Sequence, residues 1–217
     1  MEILTKLKYT VFVLILLMIQ NVSYGKYNDD WHSGVLVLQD QQVLVGHIAF
    51  DQVLGLVLVK EKETIKTFTV HNVASFRFYD KGMNVNRKFI VNQNEYTHNN
   101  KGLEIFEVVV EGRISVLRKV KKYLMSTAGE HLHPRNSNID LEWQRENFKY
   151  FVKYNNKVVS MHKFETRIFP VIEKKWENEI AIFMGENRIN LNNMANRISL
   201  ITYFNQLYNE EMVSLGL

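Results

Sequence analysis

The strongest concentration of charge in the sequence is a basic run, Arg118-Lys119-Val120-Lys121-Lys122. Four cations this close together can bind the phosphate groups of lipids or nucleic acids. Alternatively, they form the charged end of a β-strand, which discourages edge-to-edge association between sheets. The sequence therefore offers Arg118, Lys119, Lys121 and Lys122 as a candidate binding site for an anionic surface.

Two histidines separated by one residue, His131 and His133, are the closest candidate metal ligands. In an extended segment both imidazoles could reach one zinc ion, but a catalytic zinc site needs a third protein ligand and a water molecule. Spacing indicates no third ligand, although the fold could bring His98 or Glu130 near. Two solvated loop histidines are the simpler interpretation, so no metal or other cofactor is predicted.

Three glutamates, Glu104, Glu107 and Glu111, resemble the paired carboxylates of general acid–base sites. Strand alternation would place only Glu107 and Glu111 on one face, with Glu111 in a turn. We interpret all three as solvated strand charges. The sequence contains no nucleophile elbow, zinc-protease, phosphate-loop or dinucleotide motif. A non-enzymatic protein is therefore favoured over an enzyme.

The elements that must position these residues are mostly short β-strands. From about residue 33 to 120, runs of Val, Ile, Leu, Thr and Phe alternate with polar turns, which favours antiparallel strands. Glu111-Gly112 is predicted to form a tight two-residue turn, with Val110 opposite Arg113 and Gly112 at positive φ. A further hairpin is predicted over residues 148–161, with asparagines at its turn.

After this hairpin the apolar period changes from two to about 3.6 residues. One apolar stripe steps by four residues from Ile168 to Met184, and a second begins after Asn192. They predict two helices, the first ending near Gly185. The fold class is therefore α+β: an antiparallel β-meander or small barrel, followed by a hairpin and two C-terminal helices that cover the sheet.

The N-terminus is typical of a secretory signal peptide. Lys6 and Lys8 precede an apolar run, Val11 to Ile19, that is too short to span a bilayer, and small residues lead to predicted cleavage after Gly25. No transmembrane span is predicted after cleavage.

The chain has no cysteine, which excludes disulfides, thiolate metal sites and a cysteine nucleophile. Its 27 basic and 23 acidic residues give a mild positive excess, which together with export argues against nucleic acid as a partner.

Four segments are predicted: a signal peptide over 1–25, a β-rich domain over 26–122, a connector loop over 123–147, and a hairpin plus C-terminal helical segment over 148–217.

After the signal peptide, the sequence runs through Gly46-His47-Ile48, Val110-Glu111-Gly112 and Tyr203-Phe204-Asn205. In this order it resembles a group of exported proteins of Gram-negative bacteria that has no assigned function. The resemblance implies the architecture and carries over no catalytic residue.

Two classes of function follow. The favoured one is a non-enzymatic protein of the bacterial envelope with a binding or structural role. Its partner would be an envelope protein or an anionic surface in the periplasm, at the outer membrane or outside the cell. The alternative is a hydrolase or metal-dependent enzyme whose site is built from scattered residues, including His131 and His133. A concave pocket that gathers both histidines and a carboxylate would favour the enzyme.

Overall fold

The computed structural model describes residues 31–52, 54–93, 102–121 and 147–216. Ten strands form one antiparallel sheet. Their bounds are β1 His32–Leu38, β2 Val43–Asp51, β3 Leu56–Glu61, β4 Thr64–Phe68, β5 Val73–Asp80, β6 Val85–Gln93, β7 Leu103–Val110, β8 Ser115–Val120, β9 Phe148–Tyr154 and β10 Lys157–Ser160. The predicted α+β class is confirmed.

The strand order across the sheet is β10-β9-β8-β7-β6-β5-β1-β2-β3-β4. It consists of two meanders, β1–β4 and β5–β10, joined by the antiparallel pairing of β1 with β5. Within the described residues the order is linear, with β4 and β10 at its two ends. Of the two predicted alternatives, the structure therefore has the meander.

The first half of the sheet is strongly curved. Strands β2 and β6 are three positions apart, about 14 Å in a flat sheet, yet the ring centroids of Phe50 in β2 and Phe89 in β6 lie only 5.2 Å apart. Gly34 and Gly46 are opposite each other in β1 and β2. A Cβ on Gly34 would lie 2.4 Å from the carbonyl oxygen of Arg77, so this close backbone approach requires glycine.

The curved half encloses the first of three apolar cores. Its buried members are Leu36, Leu38, Ile48, Val57, Val59, Val73, Phe76, Phe78 and Phe89. The second core lies on the opposite face of β6, because Ile90 packs there directly after Phe89 in the strand. Its buried members come from β7 to β10: Phe106, Leu117, Phe151 and Val158. Both faces of the sheet are thus buried, but at different places.

The C-terminal helices cover the face of β8 and β9 that carries Val116 and Val152. After a 3₁₀ turn at Met161–Lys163, the helices are α1 Phe164–Arg167, α2 Phe169–Lys175, α3 Glu177–Glu186 and α4 Met194–Ser214. Side chains from these helices and the two strands form the third core. None of the helices in the described part of the chain combines the length and the hydrophobicity that a bilayer crossing requires.

The number of helices differs from the prediction, because a short helix, α1, precedes the first apolar stripe and the stripe itself is broken at Trp176. Pro170 lacks an N–H and its ring would clash with the preceding turn, so α2 begins afresh with proline in its first turn. At Trp176 the backbone leaves the helical region, with φ −138° and ψ 62°. The indole then packs edge-on against Phe204 of α4, with a centroid distance of 5.2 Å.

The β7–β8 connection also differs from the prediction. Val110 lies opposite Val116 rather than Arg113, and four residues, 111–114, separate the end of β7 from the start of β8. The described glycines at positive φ are Gly55 and Gly216, so the positive φ predicted for Gly112 is wrong. A shift of register between Val108 and Val110 accommodates the longer turn.

Gly112 is required for a different reason, the docking of α4. The side chain of Asn205 in α4 accepts a hydrogen bond from the N–H of Ile114 at 3.0 Å and donates one to its carbonyl at 2.8 Å. A Cβ at Gly112 would lie 2.4 Å from Cγ and Nδ2 of this asparagine. Because it has no side chain, Gly112 leaves the space that the Asn205 side chain occupies when α4 packs against the turn.

Candidate functional site

A groove opens where the ends of β2 and β3 approach strands β6, β7 and β8. Its volume is about 190 Å³. The apolar side chains that line it are Phe50, Leu54, Val70, Phe89, Leu103, Ile105, Val120 and Phe148. Four charged residues, Glu104, Glu107, Arg118 and Lys119, complete the lining together with Gln52 and Gly55. The lining of the groove is therefore mainly apolar, with four charged residues at its boundary.

The register of the strands brings the charged residues to the boundary of the first core. In β7, Glu107 follows Ile105 on the inward face, opposite Phe89 of β6. Across β8, Glu107 lies opposite Arg118. Arg87 precedes Phe89 on the same face of β6 by strand alternation. Along these strands, the inward-facing residues are therefore apolar within the first core and charged at its boundary.

Glu107 is bound by two guanidinium groups. Arg87 donates from Nε to Oε1 at 3.0 Å and from Nη2 to Oε2 at 3.1 Å. Arg118 donates from Nε to Oε2 at 2.8 Å and from Nη2 to Oε1 at 2.9 Å. Arg87 also donates from Nη1 to Asp80 Oδ2 at 3.3 Å. We call these four residues, Asp80, Arg87, Glu107 and Arg118, the paired-charge cluster.

The side chains of the paired-charge cluster are largely buried, with Arg118 the most exposed at 14%. Burial would raise the pKa of Glu107, but the charges and hydrogen bonds of Arg87 and Arg118 outweigh it and lower that pKa. Burial likewise opposes the charged form of Arg118, yet its bonds to Glu107 and Tyr150 raise its pKa. Glu107 is thus ionised and fully engaged at neutral pH, which suits a structural role better than that of a general base.

Each of the two guanidinium groups also contacts an aromatic ring. The guanidinium of Arg87 lies 5.1 Å from the ring centroid of Phe89, and that of Arg118 lies 4.5 Å from the centroid of Phe148. Contacts of this kind are worth about 1–2 kcal/mol when desolvated. Since both rings line the groove, the paired-charge cluster fixes the position of part of its apolar wall.

The structure describes three of the four residues of the predicted basic site. Arg118 is bound to Glu107, and Lys119 Nζ lies 2.5 Å from Glu104 Oε1, with 17% of the lysine side chain exposed. Lys121 follows β8, where its N–H donates to the carbonyl of Asn147 at 2.9 Å. Lys122 lies outside the described residues. Two of the cations are thus balanced by carboxylates. Binding to an anionic surface is not tested by these contacts and stays a prediction.

Two interpretations of the sequence are wrong at this site. β8 lies between β7 and β9, so its charges do not protect a sheet edge. Glu107 is 8% exposed rather than solvated. Glu107, Arg87 and Arg118 lie in neighbouring strands, and each is two residues from an apolar residue that faces a core. Because side chains alternate along a strand, this spacing could have revealed that the three charged side chains also face inward.

The candidate metal ligands His131 and His133 lie outside the described residues. The described residues contain no group of three or more His, Asp or Glu side chains that could hold a metal ion. The metal-dependent or hydrolytic alternative therefore remains a prediction from the sequence.

Comparisons of the chain with models of protein families, with curated proteins and with solved structures find no match. The resemblance to exported bacterial proteins consequently stays a prediction.

Proposed function

We propose that this protein is an exported, non-enzymatic binding protein of the bacterial envelope, and that the groove receives an apolar side chain of a partner protein. One observation carries the proposal: a solvent-open apolar groove whose wall is fixed by a buried, internally paired cluster of charges. Preformed apolar concavities with a few fixed polar groups are the usual form of a binding site.

The size of the groove favours a single anchor side chain over a whole small molecule. Small-molecule pockets usually measure about 300–1,000 Å³, whereas this groove measures about 190 Å³. A cavity of about 150 Å³ accommodates benzene. One aromatic or branched aliphatic side chain therefore fills the groove, and such buried anchors supply much of the affinity of protein–protein interfaces.

The charges around the groove favour an uncharged anchor. Glu107 is paired with Arg87 and Arg118, and Glu104 is paired with Lys119. A charged side chain entering the groove would lose its hydration and would compete with these internal ion pairs, at a cost of several kcal/mol. An apolar side chain meets the rings of Phe50, Phe89 and Phe148 without that cost.

The envelope location is supported by the N-terminal sequence. The short apolar run, the two preceding lysines and the small residues before Lys26 are the features of an export signal. The mature chain is then available to partners in the periplasm, at the outer membrane or outside the cell.

Site-specific photocrosslinking in cells that produce the protein tests the proposal. A photoreactive phenylalanine analogue replaces Leu54, which lines the groove and is 64% exposed. The matched control carries the analogue at Val45, which is 69% exposed in β2 and does not line the groove. We expect a discrete adduct with an envelope protein from position 54 and no such adduct from position 45.

A groove-filling substitution supplies the second half of the test. Val70→Trp places an indole in the groove and should reduce the adduct from position 54 at least tenfold, while the thermal midpoint stays within a few degrees of the unsubstituted protein. Adducts of the same mass from positions 54 and 45, or no adduct from either, would contradict the proposal.

A further inference from the structure

Strand β4 lies at one end of the sheet, and within the described residues only β3 pairs with it. Glu61 and Thr64 flank a two-residue turn and are opposite each other, so they form a hydrogen-bonded pair. Hydrogen-bonded and non-hydrogen-bonded pairs alternate along an antiparallel ladder. Ile65 and Thr67 therefore direct their N–H and C=O groups to the outer edge, where they present two donors and two acceptors to an extended chain.

This edge has few of the features by which proteins protect exposed edges. Natural edges are guarded by proline, bulges, charged side chains such as lysine, very short strands or a covering element. The register of β4 with β3 is regular from Phe68 to Thr64, and the strand contains no proline. Its one lysine, Lys66, is paired with Glu61 at 3.7 Å. Among the described residues, the outer edge of β4 is therefore open to pairing with another chain.

The edge of β4 leads into the groove. Val70, two residues beyond the end of β4, lines the groove together with Gly55, and a Cβ at Gly55 would lie 3.9 Å from Val70 Cγ1. Phe68 packs against the first core opposite Val57, and Val70 lies in the turn that follows the strand and lines the groove. An added strand running along this edge would bring a side chain over the side that Phe68 faces about every 6.6 Å.

We infer that the partner binds as an extended segment that adds a strand to the outer edge of β4 and places one uncharged apolar side chain in the groove. Main-chain hydrogen bonds to Ile65 and Thr67 would supply affinity, and the groove would supply specificity, as in other cases of strand addition. The inference rests on the proposed function, since it requires the groove to be the binding site.

Removal of one outward donor tests the inference. Thr67→Pro deletes an N–H that points away from β3, so the β3–β4 pairing is retained, as is usual for proline on an edge strand. Thr67→Val is the matched control, because it changes the side chain and keeps the N–H. Both are combined with the photoreactive analogue at Leu54. We expect the adduct to fall at least tenfold with Thr67→Pro and to change less than twofold with Thr67→Val.

Amide hydrogen exchange provides a measurement that does not depend on a variant. In the purified adduct, the amide protons of Ile65 and Thr67 should exchange at least tenfold more slowly than in the free protein. Equal rates in the two states would overturn the inference, even if Thr67→Pro fails to fold. An adduct with twice the mass of the chain would also overturn it, because the occupant would then be a second copy.

The two proposals fail in different ways. If Val70→Trp abolishes the adduct while Thr67→Pro leaves it unchanged, strand addition is wrong and the groove remains the binding site. If Val70→Trp leaves the adduct unchanged, the groove is not the binding site and both proposals fail.

Discussion

The attachment of α4 to the β7–β8 turn should depend on one asparagine side chain. In Asn205→Ala, the N–H and the C=O of Ile114 lose the partners that lie at 3.0 and 2.8 Å. Ile114 is fully buried and Asn205 is only 5% exposed, so water does not readily replace the lost amide. The substitution leaves one donor and one acceptor unsatisfied between the sheet and the helix.

The expected loss of stability follows from those two groups. A buried polar group left unsatisfied costs about 1–3 kcal/mol, so two of them give about 2–6 kcal/mol. Gly112→Ala should cost a similar amount by a different route. Its Cβ would lie 2.4 Å from Cγ of Asn205, and the asparagine cannot move aside without losing both hydrogen bonds.

Chemical denaturation of the single and double variants measures these effects. Because both substitutions remove the same hydrogen bonds, Gly112→Ala should cost less than about 1 kcal/mol in the Asn205→Ala background. Gly102→Ala is the control, since a Cβ there meets nothing within 4 Å. An Asn205→Ala variant within 1 kcal/mol of the unsubstituted protein, or additive effects of the two substitutions, would refute the reasoning.

Three further predictions concern the paired-charge cluster, the curvature of the sheet and export. Glu107→Gln leaves Arg87 and Arg118 without their shared carboxylate and should lower the free energy of unfolding by about 3–5 kcal/mol, measured by denaturation at pH 7. The pKa of Glu107 is lowered in the folded state. The ionised carboxylate therefore contributes fully to the free energy of unfolding above the ordinary carboxyl pKa of about 4.3, and this contribution is lost as the pH falls through the pKa of the folded state. A pH series in which the variant loses as much stability in acid as the parent would count against this. Gly34→Ala should cost about 2–4 kcal/mol, because its Cβ would lie 2.4 Å from a backbone carbonyl oxygen, and an unchanged denaturation midpoint would disprove the close approach. The intact mass of the exported protein should correspond to a chain that begins at Lys26, and retention of the first 25 residues would disprove cleavage after Gly25.

Local patterns in the sequence were sufficient to predict most of the strands and the presence of C-terminal helices. The alternation of apolar residues with polar turns predicts the strands, and the change to a helical period after Met161 predicts the C-terminal helices. Pro170 marks the boundary between α1 and α2, at the start of the first helical stripe, and could have been used as a signal. The pairing of β1 with β5 and the curvature of the sheet depend on contacts between distant residues, which a single sequence does not reveal.

The candidate site was missed because of one error in register. With a two-residue turn after Val110, Glu107 would lie opposite Val116 and would have no basic neighbour across the hairpin. The four-residue connection instead places Glu107 opposite Arg118. That shift places the Glu107 carboxylate and the Arg118 guanidinium in a buried ion pair at the edge of an apolar groove.

The affinity of the crosslinked partner for the groove variants tests the central claim most directly. The purified partner is titrated calorimetrically into the mature protein, into Val70→Trp, and into Val45→Trp, which adds an indole of the same size away from the groove. The claim predicts at least tenfold weaker binding by Val70→Trp and unchanged binding by Val45→Trp. Equal affinity of the partner for Val70→Trp and the unsubstituted protein would contradict it.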